Sequence, residues 1–305
     1  MKRELKASIM LFATAIIWGL AFVAQAAGME HLGPLSFTAS RCFVAVVFLY
    51  LTYKFFMMKS ASYREDKFDM KRTLVGGSIC GLVFTLAINL QQVSLIYTTA
   101  AKASFLTALY IVFIPVLGLL FGRRPSLKII ICIFLAMVGT YLLSIKGGLN
   151  INRGDLIVIL SALVFAIHIL LLTKYSTNTN AVLVSLVQFA VCGVISLVGA
   201  LVLEDISMEA ILKSQVTILY VGILSSGVGF TIQLMALKDL EPVVASMICS
   251  LESVFGALFG WLILSQEMSE REIFGAIVIF VATIFAQVPI ETYIEKRIER
   301  KLDRG

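Results

Sequence analysis

Ten runs of apolar residues, each about as long as a bilayer is thick, follow one another with little chain between them. They occupy 7–27, 34–56, 73–93, 100–121, 127–145, 155–173, 181–203, 216–237, 242–264 and 273–289. A helix needs about 20 mostly apolar residues to span the hydrocarbon core. The runs are continuously apolar rather than alternating, which points to helices and not to a barrel. Only 14% of the residues are charged, against about a quarter in a soluble domain. The expected fold is an all-α integral membrane protein with ten transmembrane helices. Pro34 and Pro242 stand at helix starts, where a missing N–H costs little. The five cysteines (Cys42, Cys80, Cys132, Cys192, Cys249) all lie inside apolar runs and are expected to be free, buried thiols.

Lys2, Arg3 and Lys6 precede an apolar run ending Ala24-Gln25-Ala26, a pattern like a signal peptide. The run is longer than a usual signal core and matches the nine that follow, so it is read as the first span. Lysine and arginine in the loops set the orientation. With the N-terminus inside, nineteen of the 25 Lys and Arg fall on the inner side. Lys146, Arg153, Lys213 and Arg271 fall outside, while Arg41 and Lys102 lie within spans. Both termini are thus expected in the cytoplasm of a multi-pass cell (inner) membrane protein. Ile290 to Gly305 is expected as an amphipathic helix on the inner surface. The net charge of +6 follows from this asymmetry and from anionic lipid, with no nucleic acid as partner.

The chain also repeats itself. At a step of 143 residues, 98–144 lies over 241–287, so that Ser126 meets Ser269 and Thr107 meets Ser250. Thr14-Ala15-Ile16-Ile17-Trp18-Gly19 resembles Ser161-Ala162-Leu163-Val164-Phe165-Ala166. Each half, 1–146 and 153–289, then holds five helices, with 290–305 as a tail. Five is odd, so the second half must be inverted. The turns agree: Arg123 and Arg124 are expected inside, and Gln266, Glu267, Glu270 and Glu272 outside. Inverted repeats with a site at their interface mark secondary transporters.

Three motifs now carry a resemblance. Gly33-Pro34-Leu35-Ser36-Phe37-Thr38-Ala39-Ser40-Arg41 opens the second span. Tyr97-Thr98-Thr99-Ala100-Ala101-Lys102-Ala103-Ser104-Phe105-Leu106 opens the fourth. Ser250-Leu251-Glu252-Ser253-Val254-Phe255-Gly256-Ala257-Leu258-Phe259-Gly260-Trp261 lies in the ninth. In order and spacing the chain resembles the EamA-type transporters of the drug/metabolite transporter superfamily. The turns after the fourth and ninth spans read Gly122-Arg123 and Ser265-Gln266, where the family often has Gly-Glu, and Ser253 replaces a proline. The resemblance implies two five-helix repeats and transport of a small metabolite, with export favoured over import.

An ionisable group inside a span costs roughly 2.5–3.5 kcal/mol on insertion scales, so each needs a reason. Glu252 sits mid-span in the ninth helix, as a site for a substrate amine or a proton, or as a structural hydrogen-bonding group. Lys102 either snorkels to the outer surface or reaches inward to Glu252 or an anionic substrate. A Lys102–Glu252 pair across the repeat interface is the sharpest structural expectation. Arg41 is read as snorkelling or packing at the lipid face, with a transport role as the alternative. His168 is mid-span, a core histidine or a substrate or proton group; metal binding is disfavoured because His31 lies in a loop. Asn89 and Gln92 share a face of the third helix, and Gln233 is their mirrored counterpart on the eighth, as substrate contacts or interhelical hydrogen bonds. Trp18 and Tyr110 are placed to stack a flat substrate or to pack in the core. Gly118-x-x-x-Gly122, Gly256-x-x-x-Gly260 and the small residues Ser246, Ser250, Ser253 and Ala257 are expected as helix–helix contacts. Pro115 is expected to kink its helix.

The function these residues indicate is a secondary transporter working by alternating access, its site lined by the first, third, fourth, sixth, eighth and ninth spans. One Glu, one Lys and several amides suit an amino acid, and equally a nucleoside or cationic drug. Coupling is either to protons, through Glu252 or His168, or absent. There is no nucleotide-binding Gly-x-x-x-x-Gly-Lys-Ser/Thr and no expected cofactor. A membrane-embedded enzyme lacks His-Glu-x-x-His, Gly-x-Ser-x-Gly or a carboxylate cluster, and a non-transporting scaffold has only short loops to offer a partner. The number of copies in the assembly is left open.

Overall fold

The structure, a computed structural model, describes residues 2–60, 63, 67–120, 122, 125–144, 152–264 and 269–287. The regular structure of these residues is helical, with no strand among them. Helix α1 is Lys2–Gly28, α2 Pro34–Lys59 and α3 Met70–Ser94. The fourth apolar run is divided into α4 (Ala100–Thr107) and α5 (Tyr110–Leu120), and α6 is Leu127–Ser144. Then come α7 (Arg153–Tyr175), α8 (Ala181–Leu203) and the short α9 (Met208–Lys213). The eighth run begins as α10 (Gln215–Leu219), widens into a π-helical segment (Tyr220–Gly229) and ends as α11 (Phe230–Ala236). The ninth run is divided into α12 (Pro242–Cys249) and α13 (Glu252–Leu264), and α14 is Glu270–Gln287.

Among the described residues, eight helical stretches are long and apolar enough to cross a membrane. The expected fifth and tenth spans, α6 and α14, fall outside that set. Each has 18 residues, and α14 opens on Glu270, Arg271 and Glu272. The Arg123-Arg124 and Gln266-Glu267 turns and the 290–305 tail lie outside the described residues.

Helix ends are closed as a low-dielectric solvent demands, since an unsatisfied backbone group there costs several kcal/mol. Asp69 accepts from the Arg72 N–H at 2.9 Å and Asn180 from the Leu183 N–H at 3.1 Å. Asn152 and Asp155 form a reciprocal capping box on α7. The start of α2 is capped from another helix: the Glu204 carboxylate accepts from Leu35 N and Ser36 N, each at 2.8 Å, and from Ser36 Oγ at 2.6 Å. With Ser214 Oγ donating to Gly28 O, Gln92 to Met29 and Thr98 Oγ1 to Asp155, these contacts gather 28–34, 92–98, 152–155 and 204–214 at one end of the bundle. At the other end Arg72 donates to the Lys174 and Thr177 carbonyls, and Ser176 Oγ to that of Leu237.

Helix α6 packs along α14, α2 along α8, and α3 along both α7 and α8, while α1 crosses α13. The α6–α14 contact is made backbone to backbone. A Cβ on Gly275 would stand 2.6 Å from the Gly139 carbonyl oxygen, and one on Gly139 2.8 Å from that of Gly275. Small residues permit this approach between helices in lipid. One sequence expectation needs correction. Gly122 is no helix-packing residue: it lies past the end of α5 at φ 74° with nothing near its missing side chain, as a helix-ending glycine does. The interruption of the fourth run lies at Ala108–Leu109, before Pro115, and α5 runs on through that proline. The ninth run is interrupted too, with no proline after its first residue Pro242, so the break does not depend on one.

Because the α6–α14 approach leaves no flexible atom to yield, Gly275→Val is expected to destabilise the fold by about 1–3 kcal/mol, the range for overpacking. At Gly256 the nearest atom to a new Cβ is 3.3 Å away, so Gly256→Ala is expected to be milder. Thermal melting of both variants in detergent checks the order.

Candidate substrate cavity

The cavity grows out of the two interrupted helices. In each, the chain crosses the break with one turn of 3₁₀-type i→i−3 bonds. Leu109 N donates to Leu106 O at 3.2 Å and Ile111 N to Ala108 O at 3.0 Å. In the other, Leu251 N donates to Ile248 O at 3.2 Å and Ser253 N to Ser250 O at 3.1 Å. Serine hydroxyls occupy further carbonyls there: Ser250 Oγ donates to Met247 O and Ser253 Oγ to Ser250 O. The second halves restart on Tyr110 and Glu252, which therefore stand at equivalent places.

The cavity takes residues from α1, α2, α3, α4, α5, α7, the π segment, α11 and α13. Its lining comes in pairs. Gln91 with Gln233, Ile88 with Phe230, and Tyr110 with Glu252 are each 142 residues apart (233 − 91, 230 − 88, 252 − 110). Trp18 with Phe165, Ala21 with His168, and Phe22 with Ile169 are each 147 apart (165 − 18, 168 − 21, 169 − 22). The partners also bond alike. Gln91 Nε2 donates to Thr107 Oγ1 at 3.1 Å, and Gln233 Nε2 to Cys249 Sγ at 3.9 Å.

The expected step of 143 is thus one too long through the interrupted helices, where Thr107 corresponds to Cys249 rather than Ser250. It does fit α6 and α14 (270 − 127). One more residue lies between Glu252 and Glu270 than between Tyr110 and Leu127. A one-residue slip turns a helical position by about 100°, enough to exchange a cavity-lining residue for its neighbour.

Glu252 is 5% exposed, and its carboxylate accepts no hydrogen bond from the described residues. Its place is fixed by the α1–α13 crossing. A Cβ on Gly19 would lie 2.6 Å from Phe255 Cβ and 2.9 Å from the Glu252 carbonyl oxygen. His168 shares a 2.8 Å hydrogen bond between Nε2 and Gln188 Oε1, and its Nδ1 is buried without a partner. Trp18 Nε1 donates to the Ser225 carbonyl at 3.1 Å and its ring lies 4.7 Å from that of Phe230. The π segment turns that carbonyl toward α1. The Tyr110 hydroxyl and Gln233 Oε1 are buried without partners.

So Glu252, His168, Gln233, Trp18 and Tyr110 line the cavity as candidates should, and three others do not. Lys102 does not pair with Glu252. Its Nζ lies 2.5 Å from Asp155 Oδ2, at the bundle end where Thr98 Oγ1 also donates to Asp155. Asp155 is 1% exposed and belongs to the α7 cap, so the nearest carboxylate meets the lysine where its helix begins. Asn89 faces α8, donating to Ser196 Oγ at 2.8 Å, and Gln92 faces the end of α1, donating to Met29. The sequence reading missed Gln25, Gln91, Thr107 and Ser225. Gln91 was recoverable from Gln233 at the correct step. Arg41 is the largest correction. It does not snorkel: it is 2% exposed, lines the cavity from α2 and donates Nη1 to Gln25 Oε1 at 2.7 Å.

Known proteins bear on this arrangement. The EamA-like transporter family matches the chain twice, over residues 5–145 and 152–287. An uncharacterized transporter of Archaeoglobus fulgidus is 27% identical, over 94% of this chain and 88% of its own. One of Bacillus subtilis is 23% identical, over 90% and 94%. A solved crystal structure shares the fold with a TM-score of 0.73 at 15% identity, covering 96% of this chain and 99% of its own. The chain is a multi-pass membrane protein and belongs to the EamA-like transporter family.

Proposed function

We propose that the protein is a secondary transporter that moves a small metabolite such as an amino acid across the cell membrane, by alternating access between two inverted five-helix halves. The halves are residues 1–146 and 153–289, with both termini in the cytoplasm and 290–305 as a cytoplasmic tail. The observation that carries this reading is the pairing of the cavity lining. Residues from equivalent helices face one another across a single buried space, and a site at the seam of two repeats is the plan of alternating-access carriers. The double family match supports the duplication. Ten spans, with α6 and α14 as the fifth and tenth, follow from the same equivalence, since those two helices stand at one common step. Their mutual packing along the seam answers their shortness. Export follows from the family resemblance, and the loop charges give the orientation.

Glu252 is the cavity's carboxylate and recognises a cationic group of the substrate. With His168 it also offers the groups able to carry a proton. In proteoliposomes, flux of a labelled amino acid is expected with wild-type protein. Losing a charge-assisted hydrogen bond of about 1.5–3 kcal/mol in Glu252→Gln lowers it roughly 10- to 100-fold. Unchanged flux in that variant removes Glu252 from the site. Flux that survives collapse of the proton gradient removes proton coupling.

Inversion has its own test. Leu127 and Glu270 open equivalent helices and are both exposed. The five native cysteines are buried, so an impermeant maleimide reads a new thiol. Leu127→Cys is expected to react from inside and Glu270→Cys from outside. Labelling of both from one side sinks the inverted arrangement.

A further inference from the structure

We propose that Arg41 is the anion anchor of the cavity, and that the transported molecule is therefore a zwitterion: its carboxylate sits on Arg41 and its ammonium faces Glu252. This rests on the transporter reading above and adds the residue and the charge pattern that select the substrate.

Arg41 lies about two turns inside the apolar helix α2 and is 2% exposed. A guanidinium carries five N–H donors and stays charged. Only the Nη1 side is engaged, by Gln25 Oε1, and Gln25 is held in turn by its Nε2 donating to the Ala21 carbonyl at 3.1 Å. The Nε and Nη2 atoms are buried without a partner. Those two donors form the edge of the fork that takes a carboxylate in a bidentate pair. No described carboxylate forms an ion pair with this cation; Glu252, the one carboxylate in the lining, does not reach it. A charge held at this depth without a counter-ion is costly, and the anionic end of a substrate supplies one.

The opposite pole is built for a cation. Gln233 Oε1 is a buried acceptor without a partner, and the Glu252 carboxylate is likewise unengaged among the described residues. The unengaged donors thus come from Arg41 on α2, the unengaged acceptors from α11 and α13. A zwitterion bridges the two poles and compensates both charges, whereas a molecule with one charge leaves the other buried and alone. Trp18, Phe165 and Phe230 of the same lining offer an apolar, aromatic wall for the side chain.

The test uses the full chain purified in detergent. The twenty standard amino acids are screened by thermal shift. Each hit is then compared with its methyl ester, its decarboxylated amine and its deaminated acid. At least tenfold weaker binding is expected for all three analogues. In Arg41→Met the amine and the zwitterion are expected to bind equally; Arg41→Lys restores part of the preference. The analogue series needs only wild-type protein, so a variant that fails to fold does not spare the proposal. An ester or amine that binds wild type as well as its amino acid overturns it. So does Arg41→Met weakening zwitterion and amine alike, or no shift with any amino acid. If liposomes still carry an uncharged or singly charged solute, only the anchor falls; no flux of any solute brings down the transporter reading itself.

Discussion

A backbone in hydrocarbon must satisfy its own hydrogen bonds, and that requirement governs where this chain can depart from a regular helix. Irregular backbone at membrane depth is tolerated only where it is buried in protein or lines a polar space. Both interruptions obey this rule. At 108–109 and at 250–251 i→i−3 bonds keep carbonyls occupied, joined at 250–251 by two serine hydroxyls, so the interruption is a local tightening rather than an unwound segment. What each break achieves is positional. It starts a new half-helix at the cavity wall and puts Tyr110 or Glu252 at its first residue. A helix N-terminus carries partial positive charge, which favours a carboxylate at Glu252 over one placed mid-helix. The π segment departs in the other direction, widening the helix so that Ser225 gives its carbonyl to Trp18.

The membrane-spanning architecture was legible because its signal is written in every segment. Apolar runs of the right length admit few other structures. The step between the halves was read as 143, whereas residues of the cavity lining stand 142 or 147 apart. Pattern matching tolerates a slip that side-chain direction does not, and hence Gln92 stood in for Gln91. The cavity was partly legible from the rarity of polar groups in lipid. That argument picks out Glu252 and His168, each too deep to reach an interface, and Gln233 nearer the end of its helix. It fails for Lys102 and Arg41, which sit nearer helix ends in the sequence. Depth cannot decide whether such a side chain turns outward or inward. The deciding partner lies on another helix: Asp155 for the lysine, Gln25 for the arginine. Neither is close in sequence, and neither stands out in composition.

Under the proposed pairing of two halves, matched positions differ in chemistry, and that difference is what alternating access requires. Strict equivalence would give a cavity with the same groups on both walls and the same grip at both ends. Here Tyr110 stands where the other half has Glu252, and Ala21 where it has His168, so the two walls carry different ionisable groups. The ends differ as well. Lys102 and Asp155 join α4 to α7 by an ion pair. At the corresponding contact between α12 and α1, the steps of 142 and 147 put Val244 and Ser8 in those places (102 + 142, 155 − 147). Separating α4 from α7 strands the buried Asp155 charge, and losing one partner of a buried pair costs several kcal/mol. Separating Ser8 from Val244 strands nothing charged. Under the proposed alternation the paired end is the harder to open, and a ligand that rewards its opening must supply the difference. The bipolar cavity is where such a ligand gains it, because a zwitterion compensates charges on both halves at once and draws them together.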